Sequence, residues 1–183
     1  TEGQYLDMSF EDRQDFAVEE YVAMIEGKTA ALLSASLELG ALLGGADEGT
    51  RRSLAEFGRG LGLAFQMQDD ILGIWGDETI TGKSAASDIL ARKKSLPVVY
   101  ALADAQVGAA LRAAYSKPLA PAAVPAVLEL LAQAGSQAYT VQAAQAAHQS
   151  AMAALQASQV LVEGNPAGQA LGQMGEMLLG RRS

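Results

Sequence analysis

The sequence predicts an all-α fold, and three observations carry that prediction. Runs of β-branched residues are scarce, no Asn-Gly pair offers a hairpin turn, and Ala and Leu recur at helical spacing along most of the chain. With 183 residues, 50% of them hydrophobic and 19% charged, the chain can bury one globular core and does not resemble a disordered tail.

The elements follow in order. Ser9 is expected to cap a first helix, with Glu11, Asp12 and Asp15 in its early turns and Phe16, Tyr21 and Ile25 after them. Gly27 is expected to end it. A second helix should run from Lys28 to Leu43 and stop at Gly44-Gly45. The stretch Thr29 to Ala46 is the one place where a membrane span could hide, but Glu38, three hydroxyl residues and three glycines interrupt it. About 20 mainly apolar residues are needed to cross a bilayer, so a buried core helix is the better reading.

Asp47 or Thr50 caps a third helix that continues through Phe57, Leu61, Phe65, Asp69 and Leu72 to about Trp75. Gly76 to Ser87 reads as a polar loop, and loops of that length in compact domains are often functional lids. Asp88 to Arg92 suggests a short helical turn. Another helix should begin near Ser95-Leu96-Pro97, because proline suits a first turn. Beyond Ser116 the texture becomes rich in alanine and glutamine, with helices expected over 121–134, 137–160 and 166–179. These read as packing scaffold. His148, which has no ligand partners nearby in sequence, is expected to be exposed and without function.

A formal net charge of −8 argues against a nucleic-acid surface, which needs a basic face. It leaves room for phosphate chemistry, since a few lysines and a metal in a cleft suffice locally. The absence of cysteine rules out disulfides, thiolate metal sites and thiol nucleophiles. The opening, Thr1 to Phe10, is acidic and lacks the apolar run of a secretory leader, and a cytoplasmic setting is expected.

The stretch Phe65-Gln66-Met67-Gln68-Asp69-Asp70-Ile71-Leu72 holds the strongest chemical signal. Two adjacent carboxylates interrupt an apolar helix, and Gln66, Asp69 and Asp70 share a face at spacings of three and four. Carboxylates held together repel unless cations offset them, and Mg²⁺ binds through one or two carboxylates plus water and substrate phosphate. The plain alternative is an acidic pair on a solvated face. Lys28-Thr29, directly after Gly27, offers an ammonium and a hydroxyl near a helix start, although a surface lysine beside a capping threonine would look the same. Lys83, Arg92, Lys93 and Lys94 cluster in an acidic chain and could clamp a diphosphate or line an ordinary loop. Gln4 and Asp7, three apart, could face one way on a helix. Glycines 58, 60 and 62 do not follow a strand and read as close helix packing.

In this order the motifs resemble the trans-isoprenyl diphosphate synthases. They are Glu2-Gly3-Gln4-Tyr5-Leu6-Asp7, Gly27-Lys28-Thr29-Ala30-Ala31-Leu32, the Gln66 to Leu72 run, Gly76-Asp77 through Gly82-Lys83, and Ser87-Asp88 through Lys93-Lys94-Ser95-Leu96-Pro97-Val98. The resemblance is strong to about Ala103 and thin beyond, dividing a single all-α unit of 1–183 into a catalytic-motif region, 1–103, and alanine-rich helices, 104–183. It implies the carboxyl-terminal, incomplete portion of an isoprenoid synthase-type helical bundle. By the same resemblance Asp69 and Asp70, with Asp7 as a weaker third, hold Mg²⁺ on an allylic diphosphate. Gln4, Lys28, Lys83 and Lys93 bind that diphosphate, and Thr29 (through its carbonyl) and Gln66 face the allylic cation. The implied reaction joins an allylic diphosphate head-to-tail to isopentenyl diphosphate, giving a short- to medium-chain product such as geranylgeranyl diphosphate, in a homodimer.

Two departures accompany the resemblance. The family's second aspartate-rich motif usually reads Asp-Asp-x-x-Asp, and Gly73 stands at its fifth position here. The first aspartate-rich motif is not among these residues, so the chain as given is expected to be inactive alone: either it is a piece of a longer enzyme or another chain supplies the missing half. A non-catalytic regulatory partner of such a synthase and a terpene cyclase of the same fold are the competing readings.

Overall fold

The computed structural model describes residues 2–10, 13, 15, 17–76, 86–162 and 164–179, which hold helices and no strand. In chain order these are α1 (Glu2–Phe10), α2 (Val18–Ile25), a π-helical turn (Glu26–Ala30), α3 (Ala31–Leu43), α4 (Glu48–Trp75), α5 (Ser87–Leu90), α6 (Leu96–Leu102), α7 (Gly108–Tyr115), a 3₁₀ turn (Pro121–Ala123), α8 (Val124–Gln133), α9 (Ser136–Ala157) and α10 (Pro166–Leu179).

α4 is the axis of the bundle. Asp47 starts it, its carboxylate accepting from the backbone N–H of Thr50 at 3.0 Å, and Glu48 in the first turn complements the helix dipole. α3 and the π turn pack along one side of α4, and α9 along another. Glycines on α4 allow that approach. A methyl group at Gly62 would stand 2.5 Å from Cα of Ala30, and one at Gly60 would stand 2.9 Å from Cβ of Ala151. The expectation that these glycines serve packing matches this geometry.

Three apolar clusters fill the bundle. Toward the amino end of α4, Leu54, Phe57 and Leu61 pack against Ala151 and Leu155 of α9. Tyr21, Met24 and Ile25 of α2 meet Leu63 and Met67 of α4, with Phe10, Leu96 and Val99 closing the group. Ile74, Ile89, Val98, Leu111 and Leu131 form the third, where α5 to α8 come together.

Several sequence expectations are corrected. Ser9 does not cap a following helix; it lies in the last turn of α1, its hydroxyl donating to the carbonyl of Leu6 at 2.8 Å. Glu11, Asp12 and Phe16 lie outside the described residues. Gly27 does not end a helix: α2 passes through the π turn into α3. The glycine instead permits contact with α1, since a methyl group there would stand 3.1 Å from Cα of Gly3. α3 is not a buried core helix. None of its residues is fully buried, and Leu32 and Leu43 are 73% and 79% exposed, because only the side bearing Leu37 and Ala41 packs on the bundle. His148 is not exposed: α10 covers it, and its Nε2 lies 2.9 Å from the carbonyl of Gly175.

The expected helix near Pro97 is α6, with Ser95 before its first turn. It stops at Leu102, and α7 starts afresh after Asp104, whose carboxylate accepts from the N–H groups of Gln106 and Val107 at 2.8 and 3.0 Å. No described helix is long and apolar enough to cross a membrane.

Candidate active site

The amino-terminal helices and the segment after α5 converge on the carboxyl-terminal half of α4. α2 and α4 run antiparallel, so residues far apart in sequence face one another. The hydroxyl of Tyr21 donates to Oδ2 of Asp70, and further along the same face the hydroxyl of Thr29 donates to Oε1 of Gln66 at 3.0 Å. Gln66 is one turn before Asp70, and its Nε2 reaches Oδ1 of Asp70 at 3.5 Å.

Asp70 is fully buried and surrounded by donors. Besides Tyr21 and Gln66, the backbone N–H of Leu96 donates to Oδ2 at 2.8 Å, and the Lys93 ammonium donates to Oδ1 at 3.2 Å. Burial pushes the Asp70 carboxyl above its ordinary range, while Lys93, the Tyr21 hydroxyl and the Leu96 N–H pull it back. Every partner is a donor, which suits an ionised carboxylate, since a protonated one would bring a hydrogen of its own. Tyr21 is held neutral, its pKa raised well above the usual value by burial and by Asp70.

Lys93 stands among three carboxylates: Asp88 at 3.0 Å, Asp70 at 3.2 Å and Asp69 at 3.9 Å. Burial disfavours its charge, but Asp70 and Asp88 outweigh that and raise its pKa above the ordinary value. On the facing wall, the Lys28 ammonium pairs with Oδ2 of Asp7.

These groups surround a cavity of about 400 Å³. Asp7, Lys28, Gln66, Asp70, Arg92, Lys93 and Lys94 supply its polar lining, and Phe10, Tyr21, Met24, Ile25 and Tyr115 its apolar wall. The structure thus brings Asp7, Lys28, Gln66, Asp70 and Lys93 to one cavity, with Thr29 and Asp69 bonded or close to its lining residues. Gln4 is exposed on α1 and lies outside the lining. Lys83 and Asp77 lie outside the described residues.

Among the described residues no three His, Cys, Asp or Glu side chains form a ready cage for a metal. Both oxygens of Asp70 already accept from protein donors, whereas the Asp69 side chain is 35% exposed. That donor set fits Mg²⁺, which takes one or two carboxylates and completes its shell with water and phosphate oxygens. The part-exposed Asp69 is more accessible to such an ion than the fully buried Asp70.

Sequence reasoning does not single out Tyr21 or Tyr115 as cavity residues. Tyr21 looks like a core aromatic at helical spacing, and only the fold discloses its polar end against Asp70. The Tyr115 hydroxyl is buried without a hydrogen-bond partner beside the cavity, and no motif marks it.

The model of the polyprenyl synthetase family matches residues 1–132. A (2E,6E)-farnesyl diphosphate synthase of Mycobacterium bovis is 54% identical over 101 residues, covering 55% of this chain and 28% of that enzyme. A geranylgeranyl diphosphate synthase of Saccharolobus solfataricus is 49% identical over 105 residues, 57% of this chain and 32% of that one. Among solved structures, a polyprenyl synthetase from Streptomyces coelicolor superposes with a TM-score of 0.86 at 38% identity, covering 97% of this chain and 54% of that one. A Corynebacterium glutamicum geranylgeranyl pyrophosphate synthase, solved with isoprenyl diphosphate and magnesium, gives 0.84 at 29% identity over 98% of this chain and 51% of its own. The chain therefore spans about half the length of these solved relatives.

Proposed function

The chain belongs to the polyprenyl synthetase family, and on that premise we propose that its cavity binds the diphosphate of an allylic substrate in a short- to medium-chain prenyl diphosphate synthase. The observation that carries this reading is the convergence of Lys28, Gln66 and Lys93 on one cavity from three separate segments of an acidic chain, with Asp69 3.9 Å from the Lys93 ammonium. The apolar lining of Phe10, Met24 and Ile25 suits an isoprenoid tail.

In this reading Lys28 and Lys93 take the diphosphate oxygens, with Lys83 as a third lysine and Gln4 near the outer rim. Asp69, with Asp7, holds Mg²⁺, and Asp70 keeps Lys93 and α6 in place from below. When bound, Mg²⁺ would stabilise the negative charge of the departing diphosphate. Gln66 and Thr29 face the carbon end, where their oxygens stabilise positive charge as it develops. The apolar wall excludes water from the allylic cation. The departing diphosphate takes the proton after isopentenyl diphosphate attacks. The same reading extends to a homodimer and to a cytoplasmic setting.

Calorimetric titration of the chain with a non-ionisable allylic thiodiphosphate plus Mg²⁺ tests the proposal. Saturable binding that weakens in Lys28→Ala and Asp69→Ala is expected. Equal heats for the wild type and both variants would sink it. Supplying allylic diphosphate with and without isopentenyl diphosphate to a preparation that includes the remaining half of the bundle separates elongation from cyclisation. A partner subunit would give neither product.

A further inference from the structure

Gly73 sits one turn beyond Asp69 and Asp70, on the stretch of α4 that passes beneath α5. A methyl group at Gly73 would stand 2.3 Å from Oδ2 and 2.4 Å from Cγ of Asp88. The Asp88 carboxylate thus lies where a methyl group at position 73 would stand, so a side chain there would have to shift it. From there Oδ2 accepts from the Lys93 ammonium at 3.0 Å.

The short segment carrying Asp88 and Lys93 is tied down on both sides of that contact. The Ser87 hydroxyl lies 3.5 Å from the carbonyl of Gly73, and the backbone N–H of Lys93 donates to the carbonyl of Asp88 at 2.9 Å. Ala86, ahead of the segment, and Arg92, within it, take left-handed conformations at φ 57° and 53°. Side-chain-bearing residues adopt that region only at some cost, and such strain gathers at functional sites.

We propose that Asp88 is the positioning residue that fixes the Lys93 ammonium at the mouth of the cavity, from the room that the bare Gly73 leaves it. The proposal rests on the reading of Lys93 as a diphosphate ligand. It follows that a side chain at position 73 should harm ligand binding by moving Asp88, even though it touches neither ligand nor Lys93.

The sign of the effect makes the test sharp. Removing a negative charge near an anion site should tighten anion binding on Coulomb grounds alone. Positioning demands the reverse. Inorganic diphosphate is titrated calorimetrically, with Mg²⁺ throughout, into the wild-type chain, Asp88→Asn, Gly73→Ala, Lys93→Ala and the double variant Asp88→Asn/Lys93→Ala. Asp88→Asn and Gly73→Ala should each weaken binding roughly tenfold, the scale of one charge-assisted hydrogen bond. With Lys93 already removed, Asp88→Asn should have no further effect.

Unchanged or tighter binding in Asp88→Asn overturns the inference, as does an undiminished loss in the Lys93→Ala background, which would mark a general structural role. If Lys93→Ala itself binds like the wild type, the diphosphate reading of Lys93 falls, and the positioning role falls with it. Crystal structures of Gly73→Ala and the wild type provide a ligand-independent check. The proposal requires Asp88 to be displaced from Lys93 in the variant.

Discussion

Oδ2 of Asp70 lies 2.8 Å from the backbone nitrogen of Leu96, joining the middle of the candidate site to the first turn of α6. The neighbouring Asp69 stands 3.9 Å from the Lys93 ammonium and keeps a side chain that is 35% exposed. Two adjacent aspartates therefore have different expected fates. Asp70→Ala strands the Leu96 N–H, the Tyr21 hydroxyl and one bond of Lys93. It should destabilise the fold by about 3–5 kcal/mol, the usual cost of breaking a buried charged network from one side. Asp69→Ala, at a carboxylate that is only part-buried, should cost the fold less than Asp70→Ala while weakening Mg²⁺-dependent binding. Urea unfolding of the two variants decides the matter, and equal losses would refute the division.

Helix contact along α4 yields a second, paired prediction. Gly62→Ala would push its methyl group against Ala30 and separate α4 from the π turn, costing about 1–3 kcal/mol as overpacking does. Gly40→Ala, on α3, meets nothing within 4 Å and should stabilise by roughly 0.5–1 kcal/mol through helix propensity. Thermal unfolding should shift in opposite directions. A loss in both would mean that α3 is packed where it now stands open.

The cap of α4 predicts a pH dependence. Hydrogen bonds from the backbone N–H and hydroxyl of Thr50 lower the Asp47 pKa. A folded-state pKa below the unfolded one adds stability that is present above the ordinary carboxylate range, about pH 4, and fades as pH falls through the lowered value. Asp47→Ala should therefore melt below the wild type at neutral pH, and the gap should narrow in strong acid. A gap that stays constant from neutral pH to about pH 2, below the usual carboxylate range, would show that the loss does not depend on the charge of the Asp47 carboxylate.

The helical character of the chain and the starts of α4 and α6 are legible in the sequence because local signals fix them: an Asp before a helix, a proline in a first turn, apolar spacing. The doublets Asp69-Asp70 and Lys28-Thr29 are visible for the same reason. Tyr21 is not, since its meaning depends on a bond to a residue 49 positions away. The exposure of α3 and the burial of His148 depend on which helices dock beside them, and nothing within either segment encodes that. Gly73 looks like a missing carboxylate in the sequence, and only the crossing of α5 over α4 discloses what fills its place.

The π turn between α2 and α3 sets the rotational phase of everything before it. Eight residues separate Tyr21 from Thr29, and in an unbroken α-helix at about 100° per residue they would point about 80° apart. Absorbing one extra residue in the wider turn brings them to within roughly 20° of a common direction. Both can then meet α4 at once, Tyr21 at Asp70 and Thr29 at Gln66. Inserting a single residue between Tyr21 and Thr29 would leave the helix continuous and its composition nearly unchanged. It would nonetheless swing one of the two hydroxyls out of reach, so the spacing across Glu26–Ala30 constrains the chain's length as firmly as any side chain there constrains its chemistry.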